Sequence, residues 1–126
     1  MTYINFKDLK TYQLARKISN LGWEIFLNLT WEAKKIVGFQ FIESTDSSGA
    51  NIAEGYRRYH FLDQIKFYYT AWASLSEAND HWLDLLYERN KVNKGRYDNF
   101  KEISKNLEVK LNNFIAVTYK TKNNIK

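Results

Sequence analysis

The chain contains no cysteine and no proline, and its 126 residues include only two histidines, one methionine and five glycines. Without cysteine there can be no disulfide and no thiolate metal site, which removes the common zinc and iron–sulfur frameworks. That usage fits a reducing compartment, and a cytoplasmic location is expected. Without proline nothing forces a helix to break, so long uninterrupted helices are favoured over a loop-rich fold. No apolar run approaches the ~20 residues of a membrane span, and Met1 to Lys10 carry no apolar leader segment. The expectation is one soluble domain over residues 1–126. A chain of this length removes roughly two-thirds of its surface from water on folding, which suffices for a core without staples.

Catalytic patterns are missing as well. There is no Gly-x-Ser-x-Gly elbow and no phosphate-cradling glycine loop, since Gly49 and Gly55 stand alone. Di-iron bundles use Glu-x-x-His pairs, but Arg57 and Ala78 stand three residues before His60 and His81. Glu77, His81 and Asp84 share one face of an ideal helix and could hold a metal weakly; the better reading of His81 is a surface or interface residue. Glu54 and Glu77 form the one carboxylate pair of interest, and capping or interhelical hydrogen bonding suits them better than acid–base work. The expectation is therefore a non-enzyme with no catalytic residue, no metal and no cofactor.

What the sequence has in plenty is aromatic side chains, with 8 Phe, 9 Tyr and 4 Trp making up 17% of it. Apolar residues recur at helical spacing over four stretches, approximately 8–29, 32–54, 62–88 and 96–119. The first repeats Leu14, Ile18, Leu21, Ile25 and Leu29. The second carries a stripe of small and polar residues, Gln40, Ser44, Ser47 and Asn51, with Thr45, Ser48 and Gly49 beside it. Ala50, Ile52 and Ala53 interleave with the stripe, so close backbone packing with satisfied hydroxyls is expected, and Gly55 reads as the helix stop. The third shows two seams, one large in 3-4 alternation (Ile65, Tyr68, Trp72, Leu75, Asn79, Trp82, Leu86) and one mostly small (Phe67, Ala71, Ser74, Ala78, Leu85). A stripe that broad exceeds what one bundle core covers, so Tyr68 and Trp72 are expected at a subunit interface. Short connections make sequential helices antiparallel. The fold class expected is thus all-α, an antiparallel up-down-up-down four-helix bundle that assembles as a homo-oligomer.

The net charge of +5 is unevenly spread. Residues 91–126 carry nine bases against three acids, whereas residues 59–90 carry two against five. Lys101, Lys105 and Lys110, with Arg57 and Arg58 in the turn before the third helix, are the candidate phosphate contacts. Tyr59 and His60 beside the two arginines could stack on unpaired bases. The plainer reading is a solvated lysine-rich face and a polar turn packed on the bundle end.

Asn51-Ile52-Ala53-Glu54-Gly55 is preceded by Gly38, Gln40, Asp46-Ser47 and Ala50. It is followed by Arg58, Phe67, Ala71, Ser74-Leu75 and Glu77, and Phe6-Lys7-Asp8-Leu9 with Ala15 opens the chain. This ordered set resembles the bacterial 23S ribosomal RNA intervening-sequence family of four-helix-bundle proteins. The resemblance implies a homopentamer and kinship with the accessory variability determinant proteins of diversity-generating retroelements, which bind nucleic acid and a reverse transcriptase. Glu43 and Trp72 stand where the family usually carries a base, and Ala73 and Arg57 where it carries glycine. The resulting expectation is a self-assembling interaction module with RNA or DNA as favoured partner and no membrane association. The alternative is a protein-binding scaffold, for a reverse transcriptase or another protein, with no nucleic-acid role of its own.

Overall fold

A computed structural model describes residues 5–124, with side chains for residues 5–121. Asn5 accepts a hydrogen bond from the Lys7 amide and opens a 3-10 turn, Phe6–Asp8, ahead of helix α1, Lys10–Leu27. Thr30 caps the second helix by accepting from the Ala33 amide. That helix, α2, spans residues 31–57 as Trp31–Ala33, a π turn over Lys34–Gly38, and Phe39–Arg57. Helix α3 spans residues 61–88 as Phe61–Ser76, a second π turn over Glu77–Trp82, and Leu83–Glu88. Helix α4 is Lys94–Asn124. All the regular structure among the described residues is helical, in agreement with the expected class.

One expected boundary and one expected spacing need correction. Gly55 does not stop α2, which continues to Arg57 and ends where Arg58 turns extended. The α-spacing assumed for the third helix is interrupted at Glu77–Trp82, where a π turn inserts one residue per turn and rotates everything after it. At the far end of α3, Asn90 takes a positive φ of 59°. The Lys91 amide then reaches the Leu86 carbonyl and the Asn90 amide the Tyr87 carbonyl, the paired bonds of a left-handed helix stop.

Each helix packs on two neighbours, α1 and α3 each contacting α2 and α4. The pairings run antiparallel. Gly49 lies against Ala15 and Gly22 against Thr45 between α2 and α1, while Gly55 meets Phe67 and Tyr68 and Ser47 meets Ser74 between α2 and α3. Gly22 also touches Phe100 of α4, and Tyr68 of α3 packs on Phe114 of α4. Ile18, Phe41, Ile52, Tyr68, Leu83, Leu86, Phe100, Leu107 and Leu111 fill one continuous core. Burying a side chain of that size contributes about 1.5–3 kcal/mol, which is why the leucine and isoleucine rhythm controls the fold.

The small polar stripe of α2 packs as expected. Ser44 donates to the Gln40 and Phe41 carbonyls, Thr45 to Phe41 and Ser48 to Thr45, so the hydroxyls are satisfied within their own helix. Asn51 donates to Ser47, and Ser74 of α3 donates to the Ser47 hydroxyl at 3.1 Å. No described helix is long and apolar enough to cross a membrane.

Candidate functional site

The bundle presents four faces, one between each pair of neighbouring helices. Charge divides them. Over α1 and α4 ten Lys and Arg stand against four Asp and Glu; over α2 and α3 four stand against nine. Because α1 neighbours α4 and α2 neighbours α3, one half of the bundle carries net +6 and the other −5, although Arg16 of α1 lines the groove with α2 and Lys101 of α4 points to α3.

Apolar exposure divides the other two faces. Between α1 and α2 runs an open groove of about 390 Å³, floored by Ser19, Gly49 and Ala50, with Arg16 and Asp46 along it and Tyr12 and Trp23 at its ends. Trp23 stacks on Phe26, which meets Phe39, which meets Trp31, and these rings continue the groove as an apolar surface. Trp23, Trp31 and Phe39 are each about half exposed or more. Between α3 and α4, Trp72 is 37% exposed, with Tyr69 and Tyr119 more so.

The expected site residues distribute unevenly over these faces. Tyr68 is 1% exposed and belongs to the bundle's own core, where it packs on Phe114, so its assignment to a subunit interface is corrected. Most of the two seams of α3 is covered by α2 and α4, and the surplus reduces to Trp72 and its neighbour Tyr69. Burial also pushes the Tyr68 phenol far above its ordinary pKa.

Nor do Lys101, Lys105 and Lys110 share a stripe. At 100° per residue Lys105 sits 40° from Lys101, but Lys110 sits 180° from it. Lys101 points to α3, where its ammonium lies 2.8 Å from Asp84 and donates to the Asn79 carbonyl in the π turn. Lys110 lines a groove with α1 instead. Desolvation pushes the Asp84 carboxyl up, yet hydrogen bonds from Lys101 and Tyr97 and the lysine charge together hold it below the ordinary carboxylate value. Tyr97 in turn is pushed up to about 12 by burial and by its bond to Asp84. Lys101 is therefore a structural cation, removed from the phosphate set.

In the turn at 57–60, the Arg57 guanidinium lies over the Phe6 ring at 4.3 Å and Arg58 over Phe67 at 4.8 Å. Arg58 also pairs with Glu54 at 2.7 Å. Tyr59, 93% exposed, and His60 meet edge to face at the tip. The plainer reading thus holds for the arginine stems, while the Tyr59 ring stands open to solvent.

The signature residues work inside the bundle. Ile52 and Ala53 are core, Gly55 lies beneath Phe67 and Tyr68, and Asn51 and Ser74 converge on Ser47. Glu54 holds Arg58, and Glu77 accepts from the Trp82 indole at 2.6 Å across the π turn. The two acids sit at different levels of the α2–α3 contact. The π turn also breaks the shared face assumed for Glu77, His81 and Asp84, and no three His, Asp or Glu among the described residues are grouped to hold a metal. The apolar face at Trp23, Phe39 and Trp31 was not singled out in the sequence. Its one signal is that these rings lie off the leucine and isoleucine rhythm.

Among curated proteins none matches this chain. Of solved structures, a protein of unknown function from the S23 ribosomal protein family of Bacteroides thetaiotaomicron VPI-5482 is similar at 24% identity and a TM-score of 0.69, over 84% of this chain and 94% of that one. At that identity the likeness shows the shared fold. The family model described as 23S rRNA-intervening sequence protein matches residues 7–113. On that match, with the signature residues packed as the spine of α2, the chain belongs to the 23S rRNA-intervening sequence protein family.

Proposed function

We propose that the chain is a non-enzymatic, self-assembling interaction module whose partner class is nucleic acid. The observation that carries this reading is the arrangement of its surface: two opposite faces expose large apolar side chains, and the α1–α4 and α2–α3 halves that lie between them carry opposite net charge. Isolated apolar residues on a surface need no explanation, but contiguous rings do. A contact between the α1/α2 face of one copy and the α3/α4 face of the next joins unlike surfaces, a head-to-tail contact that forms a ring when its rotation closes. It leaves the basic α1/α4 face of every copy uncovered, where it attracts polyanions. Five subunits is the number that the family resemblance implies.

Size-exclusion chromatography with light scattering on untreated protein tests this reading, with the ultraviolet absorbance ratio reporting bound nucleic acid. The expected result is a mass near five times 15.0 kDa, reduced toward 15.0 kDa by Trp72→Ala with helicity intact. A monomer, or an assembly indifferent to Trp72→Ala, overturns the face assignment. A clean assembly that never carries or binds nucleic acid favours the second reading, a protein-binding scaffold. The exposed Trp23–Phe39–Trp31 surface supports that reading, since clustered aromatics anchor protein partners.

A further inference from the structure

The groove between α1 and α4 has features that the self-assembly reading leaves unused. It holds about 190 Å³, and its lining includes Lys10 and Thr11 at the start of α1, Lys110 and Asn113 of α4, and an apolar floor containing Phe114 and Val117. Among the described residues, every charged residue lining it is a lysine. Neither Lys10 nor Lys110 has an ion pair among the described residues, whose salt bridges are Arg58–Glu54, Lys94–Asp98 and Lys101–Asp84.

Two independent observations mark the same spot. The residue preceding α1, Leu9, offers no side-chain cap, so the first amides of an 18-residue helix keep their positive end uncompensated. Thr11 in that first turn is 4% exposed, and its hydroxyl has no hydrogen-bond partner among the described residues. An orphaned buried hydroxyl is uncommon and calls for an explanation. A helix start with spare donors and two flanking ammonium groups matches the chemistry of a phosphate. Helical spacing puts Lys17 on the same face as Lys10, seven residues and about 10 Å further along the axis. The floor at Phe114 and Val117 suits the uncharged sugar or base beside the phosphate.

We propose that this groove is a backbone-binding site for single-stranded RNA, with one phosphate held at the start of α1 between Lys10 and Lys110. The proposal rests on the nucleic-acid reading above and moves its centre away from Lys101 and the 57–60 turn.

The test is fluorescence anisotropy with a labelled, mixed-sequence single-stranded RNA of about 20 nucleotides, titrated at about 50 and about 200 mM salt. The variants are Lys10→Gln/Lys110→Gln, Thr11→Val, and Lys105→Gln as a control on the far side of α4. Wild type and Lys105→Gln are expected to bind alike. The double variant is expected to bind about tenfold more weakly, with a salt slope lower by about 0.7 for the one lost single-strand phosphate contact. Thr11→Val separates a ligand role from a structural one: removing an orphaned hydroxyl should raise Tm slightly while weakening RNA binding. Wild-type binding with an unchanged double variant overturns the groove and leaves the wider reading standing. No RNA binding by wild type overturns both. Loss of self-assembly in the double variant, with RNA affinity retained, overturns the proposal and gives the face to a second copy.

Discussion

The α2–α3 contact and the α1–α4 contact are built from the same helical geometry with opposite materials. Between α2 and α3 the meeting residues are glycine, serine and asparagine, with Gly55 against Phe67 and Tyr68 and a Ser74–Ser47 hydrogen bond. Between α1 and α4 they include Phe100 against Gly22 and, at the groove, Leu9, Phe114 and Val117, flanked by Lys10, Lys110 and Asn113. Small residues let two backbones approach but bury little area each. Larger side chains bury more and hold the backbones apart, which leaves a groove at the rim. The close contact is therefore intolerant of change and chemically quiet. The looser one tolerates change and is the one with space for a ligand. In this chain the string most diagnostic of the family lies in the quiet contact, so it marks the fold rather than a site.

The sharpest way to break that contrast is Gly55→Ala. A Cβ there would stand 2.7 Å from Tyr68 Cε1 and 2.8 Å from Phe67 Cβ. Phe67 Cβ is tethered to its own backbone and cannot swing aside. Overpacking of this kind costs about 1–3 kcal/mol, against a helix-propensity gain of at most about 1 kcal/mol. The expected outcome in thermal denaturation is a fall in Tm on the order of 5 °C. An unchanged or raised Tm would show that α2 and α3 separate freely at this level and would remove the claim of a tight contact.

A smaller effect is expected at Asp84, where α3 is tied to α4 by Lys101 and Tyr97. Asp84→Asn removes the charge pairing but keeps the side-chain size. At neutral pH the loss should be about 1 kcal/mol, since both partners are partly exposed and screening discounts the pair. The sign of its pH dependence follows from the direction of the shift. A carboxyl held below its ordinary 3.8 contributes stability above that value and loses it as pH falls through the folded pKa. The Tm gap between wild type and Asp84→Asn should thus be constant from neutral down to about pH 5 and close in stronger acid. A gap that persists in acid would assign the effect to packing instead.

These positions also show what the sequence makes legible. The number of helices and their approximate spans follow from the leucine and isoleucine rhythm, because core burial outweighs local propensity. The close packing of the α2 stripe was readable because hydroxyls interleaved with Ile52 and Ala53 have no other economical place. The π turns were not readable. Each adds one residue to a turn without any residue type that announces it, and the turn at Glu77–Trp82 breaks the face assumed for Glu77, His81 and Asp84 while leaving Leu86 in the core. Gly55 resembled a helix stop since glycine serves both ends and close contacts, and only the position of Phe67 and Tyr68 tells the two apart. The lysines of α4 were grouped by proximity in sequence, although spacings of four and then five residues place Lys110 across the helix from Lys101. Thr11 gave no signal, because an orphaned hydroxyl is a fact of packing alone.

The smallest expected effect lies at Gly95, the second residue of α4, and has the opposite sign to Gly55. A Cβ there meets only Asn93 Oδ1 at 3.5 Å, an ordinary contact, and the residue has no positive φ. Asn93 accepts from the Arg96 amide and starts the helix whatever stands at 95. Alanine would then act mainly on the unfolded chain by lowering its conformational freedom, a gain of about 0.5 kcal/mol, reduced from the interior value because first-turn residues fray. The measurement is the urea midpoint, with an unchanged m-value showing that the native bundle is intact. If Gly95→Ala and Gly55→Ala moved the midpoint in the same direction, propensity rather than local space would govern both glycines, and the distinction between a tight and an open part of the bundle would lose its energetic basis.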